Sequence, residues 1–152
     1  SLDANNGQRG HGSQRVIFAA TEAALKAKSL VINGSDYDTE DGSCVRDYIH
    51  VEDVADIHVK ALEYIEKNKC QHILNCGYGE GYSVRQIVDI FKKVNNTDFK
   101  VETGPRRIGD PEFLVGDNSE LIKLLRWKSK FTNPIEVICK TAYEWGKKHS
   151  LG

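Results

Sequence analysis

Two arginines and an aspartate on short connections are the residues of this chain best suited to hold an anion. Arg46 stands in the run DYDTEDGSCVRDYIHVED, residues 36–53, where an acidic, glycine-broken loop feeds a short strand and a helix follows at once. A guanidinium raised on a strand end beside a tight loop can grip a phosphate or carboxylate bidentately. In a strand, Arg46, Tyr48 and His50 share one face and Val45, Asp47 and Ile49 the other. Spacing alone equally allows an exposed polar face with Arg46 paired to Asp41 or Asp47. Arg107 and Asp110 belong to GPRRIGD, residues 104–110, a loop fixed by Pro105 and Gly109. Adjacent Arg106 and Arg107 point in different directions, so one can face a pocket while the other faces water. An arginine with an aspartate three residues on suits a nucleotide, guanidinium for phosphate and carboxylate for ribose hydroxyls. Standing alone, the same run is equally an ordinary charged turn.

Other constellations carry less. GYGEGYS, residues 77–83, has glycines spaced GxGxG rather than GxGxxG and reads as a strand-to-helix turn, not a dinucleotide fingerprint. His50, Glu52 and Asp53 straddle a strand end and a helix start, so their side chains diverge; the acids suit the positive end of the helix better than a metal. Cys44, Cys70, Cys76 and Cys139 lie far apart without a CxxC pair, which predicts free thiols and neither zinc nor a disulfide framework. No Ser-His-Asp set can be assembled from spacing. Tyr78, Tyr82, Trp127, Tyr143 and Trp145 are read as packing aromatics.

These groups must be carried by alternating helices and strands. Apolar spacing predicts a helix over 14–28 capped by Ser13, a strand over 30–33 stopped by Gly34, and a strand over 44–49. A helix over 51–67 should bury Val54, Ile57, Ala61, Leu62 and Ile65. A strand over 72–75 precedes a Ser83-capped helix with Val84, Ile87, Val88 and Phe91 inward. Strands over 99–102 and 113–115 follow, then a short helix to Leu125 capped by Asp117 or Asn118. Asn133-Pro134 opens a last helix with Ile135, Ile138, Ala142 and Trp145 inward. The alternation defines an α/β protein.

The chain of 152 residues supports one domain with a sizeable core. Its 21 Lys+Arg against 22 Asp+Glu argue against a nucleic-acid partner, and the 39% hydrophobic share with dispersed charge fits a soluble globular protein. No signal peptide or membrane-length apolar run is present, which with the unpaired cysteines suggests a reducing cytoplasm and no membrane partner. The opening SLDANNGQRGHGS and the lack of any Met suggest a piece of something longer.

In their order, these pieces resemble the UDP-glucose (UDP-galactose) 4-epimerases of the extended short-chain dehydrogenase/reductase family. The resemblance runs from about Gln14 to the end. It rests on LVINGSDYDTEDGSCVRDYIHVEDVAD (30–56), ILNCGYGEGYSV (73–84), GPRRIGD (104–110) and LLRW…AYEW (124–145). The first run is the most specific; the others are shared more widely among sugar-nucleotide enzymes.

The resemblance implies that residues 1–152 are the C-terminal, substrate-binding portion of a nucleotide-sugar epimerase. The NAD(P)-binding Rossmann half would be absent from this chain. Gln14 and Arg15 would stand where an asparagine–leucine pair contacts the UDP-sugar, and Val31, Ile32 and Asn33 where a strand lies along the uracil. Arg46 and Arg107 would hold the pyrophosphate and Asp110 the ribose. Leu114 would stand at a pocket-wall position that influences acceptance of N-acetylated sugars. The family works by transient oxidation at the sugar C4: a Tyr-x-x-x-Lys pair takes the hydroxyl proton while hydride passes to tightly bound NAD and returns to the other face. Neither that pair nor the NAD fingerprint is present, Tyr143-x-x-x-Lys147 being read as coincidence inside a packed helix, so no catalytic or NAD-binding residue is assigned here. The implied activity is UDP-galactose/UDP-glucose interconversion in galactose metabolism, by a full-length cytoplasmic homodimer of which this chain alone would be inactive. Alternatives are a 4-epimerase of another UDP-sugar such as UDP-N-acetylglucosamine or UDP-xylose, a related dehydratase or decarboxylase, or a non-catalytic nucleotide-sugar-binding module.

Overall fold

The computed structural model describes residues 1–4 and 15–149. Helix α1 (Val16–Lys26) begins after an extended Arg15 and ends at Ala27, whose left-handed backbone turns its N–H back to the Ala23 carbonyl. Arg15 is therefore the N-cap, in place of the expected Ser13, which lies outside the described residues. Strand β1 (Leu30–Asn33) runs parallel to β4 (Val101–Gly104), with Leu30 opposite Val101 and Asn33 opposite Gly104. The β4 ladder starts two residues after the sequence expectation because Phe99 is drawn into the core.

On this two-stranded ladder pack α1, α3 (Val84–Asn95) and α5 (Pro134–Lys148). Ser83 opens α3 with the expected capping box: its hydroxyl accepts from the Gln86 N–H, and the Gln86 side chain accepts from the Ser83 N–H. The helical spacing then places Ile87, Val88 and Phe91 inward, fully buried. Phe91 meets Phe99 and Tyr143 edge-on, with ring centroids 6.2 Å and 5.7 Å away. Burial of each such side chain stabilises by roughly 1.5–3 kcal/mol, so this cluster is the main source of the fold's stability.

A second sheet lies in the order β3 (Gly81–Ser83), β2 (Val45–Asp47), β5 (Phe113–Leu114). β2 is central, antiparallel to β3 and parallel to β5. Residues 81–83, expected as part of the glycine turn, form a strand instead, through the close approach that Gly81 permits. A Cβ there would lie 2.6 Å from Val45 Cγ1 and 2.7 Å from Val115 Cγ2. Helix α2 (Val51–Asn68) follows β2 and packs on α4 (Ser119–Leu125) through Ile57, Leu121 and Trp127. The buried Asp53 carboxylate accepts from Tyr78 Oη at 2.7 Å and Ser129 Oγ at 2.5 Å, joining the glycine turn and the segment before α5 to the start of α2.

Two expectations fail for identifiable reasons. Residues 72–75 are not a strand: no described segment offers them a ladder, and Ile73 is wholly exposed. The α2 stripe is buried at Ile57, but Leu62 and Ile65 are 59% and 46% exposed, because nothing described covers the helix beyond its first turns. As expected, Asn118 and Asp117 close the start of α4: Asn118 sits at the N-cap with its side chain donating to the Gly77 carbonyl, and Asp117 takes the Ser119 N–H. Among the described residues no helix is long and apolar enough to cross a membrane.

Candidate functional site

A cleft of about 800 Å³ opens between the two sheets, the N-terminal half of α1 and the middle of α5. β1 leads into it. Its alternation buries Leu30 and Ile32 in the core, leaves Val31 half exposed and turns Asn33 toward the loop after β4. Gly104, opposite Asn33, leaves space for that side chain: a Cβ there would lie 3.3 Å from the Asn33 carboxamide and 2.9 Å from Val31 Cγ1.

The loop then separates its two arginines. Arg106 stacks on the Tyr37 ring at 4.0 Å and pairs with Glu112 at 3.2 Å and Asp36 at 3.7 Å, away from the cleft. Gly34 permits this stack, since its φ of +86° is left-handed and a Cβ would lie 2.3 Å from the Tyr37 ring. Arg107 turns into the cleft. With the Asn33 amide oxygen facing it, Arg107 donates through Nη2 at 2.9 Å and Nε at 3.3 Å; the opposite amide orientation would set donors against donors. The Asp110 N–H reaches the Arg107 carbonyl at 3.3 Å across the left-handed Gly109, so the turn brings both side chains to one side.

Arg46 reaches the same cleft from β2. Its Nη2 pairs with the Asp110 carboxylate and donates to the Pro111 carbonyl at 2.7 Å, while Nη1 donates to the Val45 carbonyl at 2.6 Å. The acid facing Arg46 is thus neither Asp41 nor Asp47. Asp41 is taken by Ser43 and Ser83: burial pushes its carboxyl up, but their hydrogen bonds hold it below the usual range. Asp47 accepts the N–H groups of Tyr78 at 3.1 Å and Gly79 at 3.0 Å. A Cβ on Gly77 would meet that carboxylate at 2.3 Å. The glycine-rich turn therefore wraps a carboxylate of its own chain, and it does not fit a dinucleotide phosphate.

Arg15, Val31, Ile32, Asn33, Arg46, Arg107 and Asp110 all line this one cleft. Gln14 lies outside the described residues. Leu114 does not line the cleft; it stands opposite Arg46 on β5, 60% exposed. Three arginines against one aspartate make the lining cationic. Sequence reasoning left Tyr48, His50 and Thr141 out of the site, although the shared strand face of Arg46, Tyr48 and His50 was the signal that could have found the first two. His50 is 3% exposed; its Nδ1 accepts the Glu52 N–H at 3.2 Å, which leaves the proton on Nε2, 3.2 Å from Thr141 Oγ1. Burial pushes its pKa down and that of the Tyr48 phenol up, so both are neutral near pH 7. Tyr143 does not line the cleft: it packs on Phe91, with Lys147 Nζ 4.9 Å from its ring centre. Among the described residues no cluster of His, Cys, Asp and Glu could hold a metal.

Known proteins share this fold. Residues 4–77 match the NAD dependent epimerase/dehydratase family. The UDP-glucose 4-epimerase of Lactobacillus helveticus is 44% identical over 123 residues, covering 81% of this chain and 37% of the relative. UDP-arabinose 4-epimerase 1 of Arabidopsis thaliana is 42% identical over 145 residues, covering 95% of this chain and 34% of the relative. The solved UDP-glucose 4-epimerase of Stenotrophomonas maltophila, with bound NAD and formylated UDP-arabinopyranose, superposes with a TM-score of 0.92 at 30% identity over 98% of this chain and 44% of that one. The chain thus spans less than half the length of these relatives. By sequence match and by fold, the chain belongs to the NAD dependent epimerase/dehydratase family.

Proposed function

We propose that this chain is the substrate-holding portion of a UDP-glucose 4-epimerase, binding the nucleotide of UDP-glucose and UDP-galactose. Arg46 and Arg107 hold the diphosphate, Asp110 the ribose, and β1 lies along the uracil through Val31 and Ile32, with Gln14 and Arg15 toward the sugar. The observation that carries the reading is the meeting of Arg46, Arg107 and Asp110, from segments some sixty residues apart, on one cationic cleft. Charge-assisted hydrogen bonds contribute roughly 1.5–3 kcal/mol each. Anchoring concentrated on the diphosphate leaves the hexose free to present either face, which an epimerase requires.

The Arg46–Asp110 pair is the resting form of the site. As the diphosphate arrives, Arg46 exchanges a carboxylate for a phosphate oxygen, and Asp110 is released toward ribose hydroxyls. NAD, which the glycine turn does not fit, is held mainly by polypeptide outside this chain, together with the catalytic tyrosine and lysine. On the family resemblance alone, the full-length enzyme is cytoplasmic and a homodimer.

Titration calorimetry with UDP tests the reading. Each 1.4 kcal/mol is tenfold in affinity, so Arg46→Ala and Arg107→Ala should each weaken binding by about tenfold or more. Unchanged affinity in both variants rejects the assigned site. A second reading, a 4-epimerase of a UDP-pentose or UDP-N-acetylhexosamine, is favoured by the relative named for UDP-arabinose and by the outward position of Leu114, which leaves the pocket wall unset. Product analysis on the full-length enzyme separates the two.

A further inference from the structure

We propose that Asn33 is a positioning residue, which aims the Arg107 guanidinium into the cleft, and not a contact to the base. The inference rests on the reading that Arg107 holds the diphosphate. Asn33 sits at the last rung of the β1–β4 ladder, opposite Gly104, and Arg107 leaves β4 three residues later. Its carboxamide oxygen takes both Nε and Nη2 of Arg107, at 3.3 Å and 2.9 Å. A two-point grip on one edge of a planar guanidinium fixes the plane and leaves the other edge for the ligand. The neighbouring backbone is shaped for this reach, because any side chain at position 104 would crowd the Asn33 carboxamide. Arg106 cannot substitute for Arg107, being held on Tyr37 and paired with Glu112. A neutral acceptor is the suitable choice: it orients the cation without cancelling its charge toward a phosphate.

The test compares inorganic pyrophosphate, uridine and UDP on the 152-residue chain, with folding of each variant checked by thermal melting. Asn33→Ala should weaken pyrophosphate and UDP about five- to tenfold, leave uridine unchanged, and add no further loss in an Arg107→Ala background. Asn33→Asp keeps the grip and the size but neutralises Arg107, so it should weaken pyrophosphate more than Asn33→Ala, again sparing uridine. Weakened uridine binding, a loss that adds in full to that of Arg107→Ala, or UDP binding untouched by both substitutions would each overturn the role. If the unsubstituted chain bound neither pyrophosphate nor UDP, the functional reading would fall and this role with it. Binding with Asn33→Ala and Asn33→Asp unaffected would remove this role alone.

Discussion

Arg46, in the middle of β2, is ion-paired with Asp110, 64 residues further along the chain at the end of the loop after β4. The pair joins the two small sheets across the mouth of the cleft, and it sets a cation and an anion where a nucleotide presents phosphate and ribose.

Removing the anion should therefore divide the two functions of the site. Asp110→Asn frees Arg46 from its internal partner, so affinity for inorganic pyrophosphate should rise several-fold. Affinity for UDP should rise less, because the acid on the ribose has gone. Competition titrations of the two ligands measure the difference, and equal changes for both would show that Asp110 does not meet the ribose.

The Ser83 cap serves two elements at once. Its hydroxyl accepts the Gln86 N–H at 3.1 Å and donates to Asp41, which in turn holds the loop before β2 through Ser43. Loss of an N-cap hydroxyl costs about 1–2 kcal/mol, and here it also strips a hydrogen bond from a carboxylate. Ser83→Ala should cost at least that much in urea unfolding; a change below about 0.5 kcal/mol would mean the cap is dispensable.

Stability should fall on mild acidification, and His50 is the reason. Burial lowers its pKa first of all, with the N-terminal amine and Lys130 pushing the same way and Glu52 and Asp53 opposing. Between the unfolded value near 6.5 and the lower folded one, the unfolded chain binds more protons, so stability rises with pH in that window. Protonated Nδ1 would also lose the bond it accepts from the Glu52 N–H. The melting temperature should drop by a few degrees from pH 7.5 to 5.5, and His50→Gln should flatten the drop. A slope unchanged in that variant would assign the effect elsewhere. Asp41 and Glu52, with lowered carboxyl pKa values, lose their contribution only at lower pH.

Among the described residues, nothing covers the apolar face of α2 at Leu62 and Ile65. Leu62→Lys with Ile65→Lys should leave stability within about 0.5 kcal/mol while reducing binding of a hydrophobic dye. A large loss of stability would show that these side chains are packed. By the proposed reading, this face and the bare 72–75 segment await the rest of the enzyme.

Local signals were the legible ones. The capping box at Ser83, Pro134 at the first turn of α5, the glycine after β1 and the shared face of Arg46, Tyr48 and His50 all declare themselves within a few residues. What the sequence could not report was partnership across long separations. The strand character of 81–83 depends on β2, the absence of a strand at 72–75 on a missing ladder, and the choice of Asp110 over Asp41 and Asp47 on how two loops meet. The expected α2 stripe failed likewise, for periodicity reports an apolar face but not what covers it. Asn33 illustrates the limit at the site: the family resemblance placed it along the uracil, and only the β1–β4 register revealed Arg107 beside it.

The most direct measurement is an amide NMR titration of this chain with UDP. Saturable shifts should concentrate in residues 30–33, around Arg46 and through 106–110, leaving the outer face of α2 and the α3–α5 core unmoved. Shifts centred on the 77–81 glycine turn, or none at millimolar UDP, would contradict a nucleotide site built on Arg46, Arg107 and Asp110.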